Sequence, residues 1–179
     1  QTPAQIWGQP QVKDSMKFFA NTGFEITESV SGYAFGNYAT REVDGGFFYR
    51  NPNTRGAVFS DDGGETILVG DLNPDNGIAC PEIAITNNAP DPAALALISA
   101  GGALDSECFA FNEMFPGGFT PRFGGKIIDR SAVAGVRGDF ANGLRYDVSA
   151  GYGSSRVEFL IYNTVNASLG PDTPTRFDP

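Results

Sequence analysis

The sequence predicts an all-β fold of antiparallel strands and hairpins. Three observations carry that expectation. Residues 16–26 and 144–161 alternate apolar with polar side chains, the period of a strand with different surroundings on its two faces. Asn142-Gly143 sits between two such runs, a strong short-range hairpin signal. Glycine (23) and proline (12) together make about a fifth of the 179 residues, which supplies turns rather than long helices.

The N-terminal flank opens with the clearest strand. Met16, Phe18, Ala20, Thr22, Phe24 and Ile26 share one face; Lys17, Phe19, Asn21, Gly23 and Glu25 share the other. Glu28-Ser29-Val30-Ser31-Gly32 breaks the run. Tyr33, Phe35 and Ala39 then alternate with Ala34, Gly36, Tyr38 and Thr40 on a second strand. In the C-terminal flank, Ala132, Ala134 and Val136 oppose Gly135, Arg137 and Asp139. Beyond the expected type I′ turn at Asn142-Gly143, Leu144, Tyr146, Val148, Ala150 and Tyr152 alternate with Arg145, Asp147, Ser149, Gly151 and Gly153. Ser154-Ser155 reads as a break, after which Val157, Phe159 and Ile161 alternate with Arg156, Glu158 and Leu160. At ~10 residues per strand the flanks supply about five or six strands. A soluble sandwich or barrel and a transmembrane barrel both show this alternation, and opposite charges two apart (Arg145/Asp147, Arg156/Glu158) suit a hydrated lumen and a solvated sheet face equally.

The formal charge of −9 is unevenly placed. Residues 53–121 carry ten acids and one base, Arg55, so the whole charge sits there and the flanks are neutral. The chain therefore reads as a single β unit, 1–179, with a strand-hairpin flank at 1–52, an acidic loop at 53–121 and a second flank at 122–179. Its acidity argues against nucleic acid, which needs clustered Lys and Arg. No apolar run approaches the ~20 residues of a membrane helix.

The acidic loop lacks sustained alternation, and a loop this long is usually functional or disordered. Several features predict order. Cys80 and Cys108 are the only cysteines and are most simply a disulfide; two buried thiols are the alternative. The bridge would stabilise the fold by ~3–4 kcal/mol by restraining the unfolded chain. Between them, Asp91 as N-cap, Pro92 at the first helical position and Gly101 at the end predict a short helix. Asp71, Asn73 and Asp75 place oxygen ligands two apart before a glycine turn at Gly77, with Glu82 placed as a closing carboxylate. That pattern admits calcium as a cofactor, and ordinary Asx-turn chemistry gives it as well.

No catalytic constellation stands out. Without histidine there is no Ser-His-Asp or Cys-His catalysis and no histidine-ligated zinc. Asp61/Asp62 are adjacent acids without an apolar shield, and the expectation is a protein that is not an enzyme. Five aromatics flank the loop: Phe47, Phe48, Tyr49, Phe115 and Phe119. They could stack on a ligand, and girdle or packing roles need the same residues.

Several stretches, in order along the chain, resemble TonB-dependent outer-membrane receptors, bacterial transporters of scarce nutrients. Trp7-Gly8-Gln9-Pro10, Phe35-Gly36-Asn37-Tyr38 and Gly45-Gly46-Phe47-Phe48-Tyr49-Arg50-Asn51-Pro52 look like a hairpin entering a loop. Gly117-Gly118-Phe119-Thr120-Pro121-Arg122-Phe123-Gly124-Gly125 looks like the re-entry into a strand. Tyr146-Asp147-Val148-Ser149 and Asn163-Thr164-Val165-Asn166-Ala167-Ser168-Leu169-Gly170-Pro171, running into Thr173-Pro174-Thr175-Arg176-Phe177, resemble the family's run between barrel strands. The matches cover about half the chain and concern barrel strands and one long loop, not a plug or TonB box. The resemblance implies part of a 22-stranded barrel in a bacterial outer membrane, its acidic loop extracellular, with a siderophore, cobalamin or glycan as the class of nutrient. The alternative expectation is a stand-alone extracellular structural protein. A sheet of a few strands has open edges, and edge pairing would make it a homo-oligomer or filament.

Overall fold

The computed structural model describes residues 10–179. Trp7-Gly8-Gln9 of the receptor-like motif lie outside the described residues. The fold is antiparallel and mostly β, as the alternation predicts. It divides into two compact units: a sheet unit of residues 10–44 and 124–160, and a loop unit of residues 45–123 and 161–178.

The sheet unit is built from four long strands: β1 (Gln11–Thr27), β2 (Val30–Gly46), β8 (Arg122–Asp139) and β9 (Arg145–Tyr162), in the order β1-β2-β8-β9. These are 17 or 18 residues long, not ten, and a fifth, short strand completes the sheet, so the expected five or six strands are met at five. A two-residue strand, β10 (Arg176–Phe177), pairs with Tyr162 and Ile161 at the end of β9. Ser154-Ser155 is no break: β9 runs straight through it, because ladder hydrogen bonds come from the backbone and tolerate polar side chains. The phase change that looked like a break is an exchange of polarity between the faces. Even-numbered Tyr146, Val148, Ala150 and Tyr152 are on one face, whereas odd-numbered Val157 and Phe159 are on the other, with Asp147 and Ser149. Close approaches agree: a Cβ on Gly135 would meet the Tyr33 ring and Ser149, and one on Gly125 would lie 3.5 Å from the Phe159 ring. The pairs Arg145/Asp147 and Arg156/Glu158 therefore lie on opposite faces and line no common lumen. Arg145 bonds Asp139 at 3.1 Å instead of Asp147, while Arg156 does reach Glu158 at 2.6 Å.

β1 and β2 meet through the two-residue turn Glu28-Ser29. Their register sets Phe18 opposite Tyr38, Ala20 opposite Gly36 and Phe24 opposite Gly32. The Phe24 ring lies over Gly32 so closely that a Cβ there would fall 2.6 Å from it. The β8–β9 hairpin departs from expectation. The Gly143 amide donates to the Phe140 carbonyl and the Phe140 amide to that of Leu144. Only Gly143 has positive φ (81°), so this is a three-residue loop ending in a left-handed glycine, not a type I′ turn. The type I′ geometry occurs at Asn87-Asn88 (φ 54° and 60°).

In the loop unit, short elements replace long ones. β3 (Thr66–Ile67), β5 (Ile83–Thr86) and β6 (Ala89–Pro90) make a small antiparallel sheet; β4 (Gly70–Asp71) pairs with β7 (Cys108–Phe109). Helix α1 (Pro92–Ile98) is capped by Asp91, which accepts from Ala93 N at 2.9 Å, as the sequence predicts. It ends at Ser99 rather than Gly101, because the Ser99 hydroxyl donates back to the Leu95 carbonyl at 2.8 Å. Helix α2 (Phe111–Met114) is a single turn. Two apolar clusters hold these pieces. Ile67, Ile83, Ile98, Cys108 and Ala110 form one. Phe59, Phe109, Phe111 and Phe119 form the other, with Val165 and Ala167 packed against it. All nine buried hydrophobic residues among those described belong to this unit.

Candidate functional site

The acidic segment is an ordered miniature domain, and its order has identifiable sources. Cys80 and Cys108 form the expected disulfide. It ties the end of the exposed segment 71–79 to β7, inside the Ile67/Ile83/Ile98 cluster. Asp62 organises the turn before β3. Its carboxylate accepts from the Ser60 hydroxyl at 2.7 Å, from the amides of Gly64, Glu65 and Thr66 at 2.9–3.2 Å, and from the Thr66 hydroxyl at 2.5 Å. The Thr66 hydroxyl above all, then its amide and the other donors, hold Asp62 far below the ordinary carboxylate range. Its neighbour Asp61 accepts from the Ala57 amide at 3.1 Å, where Ala57 has positive φ (60°). The adjacent acids are thus turn-formers, and Asp62 is held ionised rather than poised to donate a proton.

The calcium-type residues resolve differently. Asp71 accepts from the Asn73 amide at 2.8 Å, an Asx turn, and the Asn76 side chain accepts from Ile78 N at 2.8 Å in another. The carboxylate that gathers the segment is Glu107: the Asn76 side-chain amide donates to it, the Asn73 amide reaches it at 3.4 Å, and the Glu107 carbonyl takes the Leu72 amide. Sequence spacing missed Glu107 because it is brought in by the disulfide and the β4–β7 pair, not by proximity along the chain. Glu82 lies in a separate shallow depression with Asp61 and Asp62. Among the described residues, no three His, Cys, Asp or Glu side chains form a group suited to a metal ion. Asp71, Asp75 and Glu82 therefore do not converge, and the spacing is accounted for by turns.

The five flanking aromatics separate by role. Phe119 is buried and Phe115 half-buried, their rings 4.7 Å apart in the aromatic cluster. The Tyr49 hydroxyl donates to the Gly117 carbonyl and closes the loop's base. Phe47 is exposed and meets Phe123 edge-on at 5.8 Å. Phe48 carries the Arg50 guanidinium 3.7 Å above its ring, with Arg55 at 5.5 Å. Burial first, and Arg55 beside it second, lower the Arg50 pKa. Glu113 is raised, mainly by burial and further by Asp105, against the bond it accepts from the Ala110 amide. The receptor-like Asn163–Ser168 stretch is structural at several points. Asn163 donates to the Thr120 carbonyl at 2.8 Å with φ 52°, and Asn166 caps the 3₁₀ turn Ala167–Asp172.

The sheet unit presents the second candidate surface. Met16, Phe18, Phe24, Val136, Val148 and Tyr152 all lie on its even-numbered face and are all exposed. The other face, near the turns, is polar: Tyr33 donates to Asp147 at 2.7 Å and Arg137 to Ser31 at 3.2 Å. Phe19, Phe35, Val157 and Phe159 are exposed apolar residues on this same face.

The class these features define is an antiparallel β-protein with a disulfide-bridged, acidic, folded insertion. In comparisons with known proteins, no family model, no curated protein and no solved structure matches the chain.

Proposed function

We propose that the chain is part of a TonB-dependent outer-membrane nutrient-uptake receptor, with its sheet unit in the barrel wall and its acidic loop unit facing the exterior. The observation that carries this reading is the exposed apolar face of the sheet. Large contiguous apolar surface on a folded protein marks contact with lipid or with another protein. Here it alternates with a polar face along each strand, the arrangement a barrel wall requires between lipid and lumen. Strands of 17 and 18 residues exceed the ~9–11 that a tilted strand needs to cross the hydrocarbon. The excess length matches the exchange of polarity seen along β9, where the odd-numbered face turns apolar at Val157 and Phe159. The ordered sequence motifs support the family, and a siderophore, cobalamin or glycan is the class of nutrient it brings.

Expression of the gene in a bacterial host tests this. An epitope inserted at Gly77, in the exposed segment, is expected on intact cells, with the protein in the outer-membrane fraction. Protein in the soluble fraction, or an epitope reached only after lysis, would sink the reading.

One observation favours a second reading. Among the described residues β1 pairs only with β2, which leaves its outer edge open. Open edges recruit strands, so a stand-alone extracellular protein would oligomerise or form filaments. Size-exclusion chromatography and electron microscopy of the purified chain decide this; a monodisperse monomer rules it out.

A further inference from the structure

Arg55 is the single base of the acidic segment, yet it does not pair with any of that segment's ten acids. Among the described residues no carboxylate is ion-paired with it or with Arg50; both guanidiniums instead gather on the Phe48 ring. Two like charges side by side are unfavourable without a counter-charge. Both residues are anchored. Arg50 exchanges two backbone hydrogen bonds with Phe119, at 2.7 and 3.2 Å. The Arg55 amide donates to the Asn51 carbonyl, and the Arg55 carbonyl receives the Phe59 and Ser60 amides. Stacking on Phe48 occupies the face of a guanidinium, but its donors lie in the plane. Of these, Arg50 Nη1 and Arg55 Nε are buried and have no acceptor among the described residues. Such donors are costly unless a partner fills them. In the same unit Asn112, only 6% exposed, donates to the Pro52 carbonyl at 2.8 Å, and its own Oδ1 has no partner among the described residues. Arg50 and Arg55 are half-buried as whole residues, whereas Arg50 Nη1 and Arg55 Nε are closed to solvent, so an incoming anion must displace their cover to reach them.

We propose that Arg50 and Arg55 form a binding site for a small oxyanion, a carboxylate or phosphate group of a ligand, with Phe48 as the wall that holds the two guanidiniums. Planar forks of N–H donors match both groups. The site stands on the loop unit alone and does not depend on the membrane reading.

The test uses the full 179-residue chain with its disulfide intact, in detergent micelles, followed by ¹H–¹⁵N NMR including the arginine Nε–H signals. Sodium succinate, inorganic phosphate and sodium chloride are titrated at matched ionic strength. Saturable shifts centred on Phe48, Arg50 and Arg55 Nε–H are expected with succinate, phosphate or both, and not with chloride. Succinate alone identifies a carboxylate ligand, and phosphate alone a phosphate ligand. Arg55→Gln should weaken binding about tenfold or more, with Arg55→Lys retaining part of it. If Arg55→Gln fails to fold, the wild-type titrations and Arg55→Lys still decide. An equal, non-saturating response to all three salts, saturation elsewhere, or undiminished binding in folded Arg55→Gln would overturn the proposal.

Discussion

The two units solve stability in opposite ways. The loop unit has short elements and turn-rich sequence, yet it holds every buried hydrophobic side chain described, two clusters and a disulfide. The sheet unit has the longest regular elements and holds none of them. Phe59 is 0% exposed in the loop unit; Phe18, in the middle of a 17-residue strand, is 65% exposed. Regular hydrogen bonding therefore does not imply a core. A fully buried Phe stabilises a fold by ~1.5–3 kcal/mol through removal from water, and Phe18 gains little of that until something covers it. The loop unit carries its own stability, while the sheet unit depends on its surroundings.

Matched truncations test this contrast most severely. Phe59→Ala should cost about 3–5 kcal/mol in urea unfolding of the loop unit, and Phe18→Ala in detergent-free buffer within about 0.5 kcal/mol. Similar costs at both sites would break the comparison. Replacing both Cys80 and Cys108 by Ser should cost about 3–4 kcal/mol in the loop unit and leave the sheet's circular dichroism in detergent unchanged. Loss of the sheet signal would show that the units do not stand separately. Asp91→Ala removes one cap from α1 and should cost about 1 kcal/mol, read by the same unfolding curve.

The smallest effect is in acid. The Asp62 carboxyl is held low in the folded chain, so its contribution is complete above the unfolded value of about 4 and fades as pH falls toward the folded value. Thermal unfolding should show Asp62→Asn less stable than wild type at pH 7, with the gap closing below about pH 4. A gap that persists or widens in acid would contradict the role assigned to those hydrogen bonds.

Much of this was legible in the sequence, and the failures have physical causes. Alternation located β1 and the start of β9 because each face there meets one kind of surroundings. It misread Ser154-Ser155 because polarity changes faces along a single strand, so a period-two pattern slips phase without any break. The Asp91-Pro92 helix start was readable because capping is local; its end was not, because Ser99 closes it with its own hydroxyl before Gly101. The Cys80–Cys108 bridge followed from there being two cysteines. Glu107 and the Arg50/Arg55 pair were invisible, since each is assembled by chain segments distant in sequence or by a shared ring. The oxygen pattern at Asp71, Asn73 and Asp75 looked like a ligand set because turns and cation loops use the same side chains.

The account rests on what covers the even-numbered face of the sheet. With Trp7 replaced by Phe, single tryptophans at Tyr152→Trp and Ser149→Trp report on opposite faces of β9. The protein reconstituted in vesicles of acyl-brominated phospholipid should show strong quenching of the tryptophan at position 152 and little at 149. Equal quenching at both positions, or none at 152 in a folded protein, would contradict the assignment of that face to lipid.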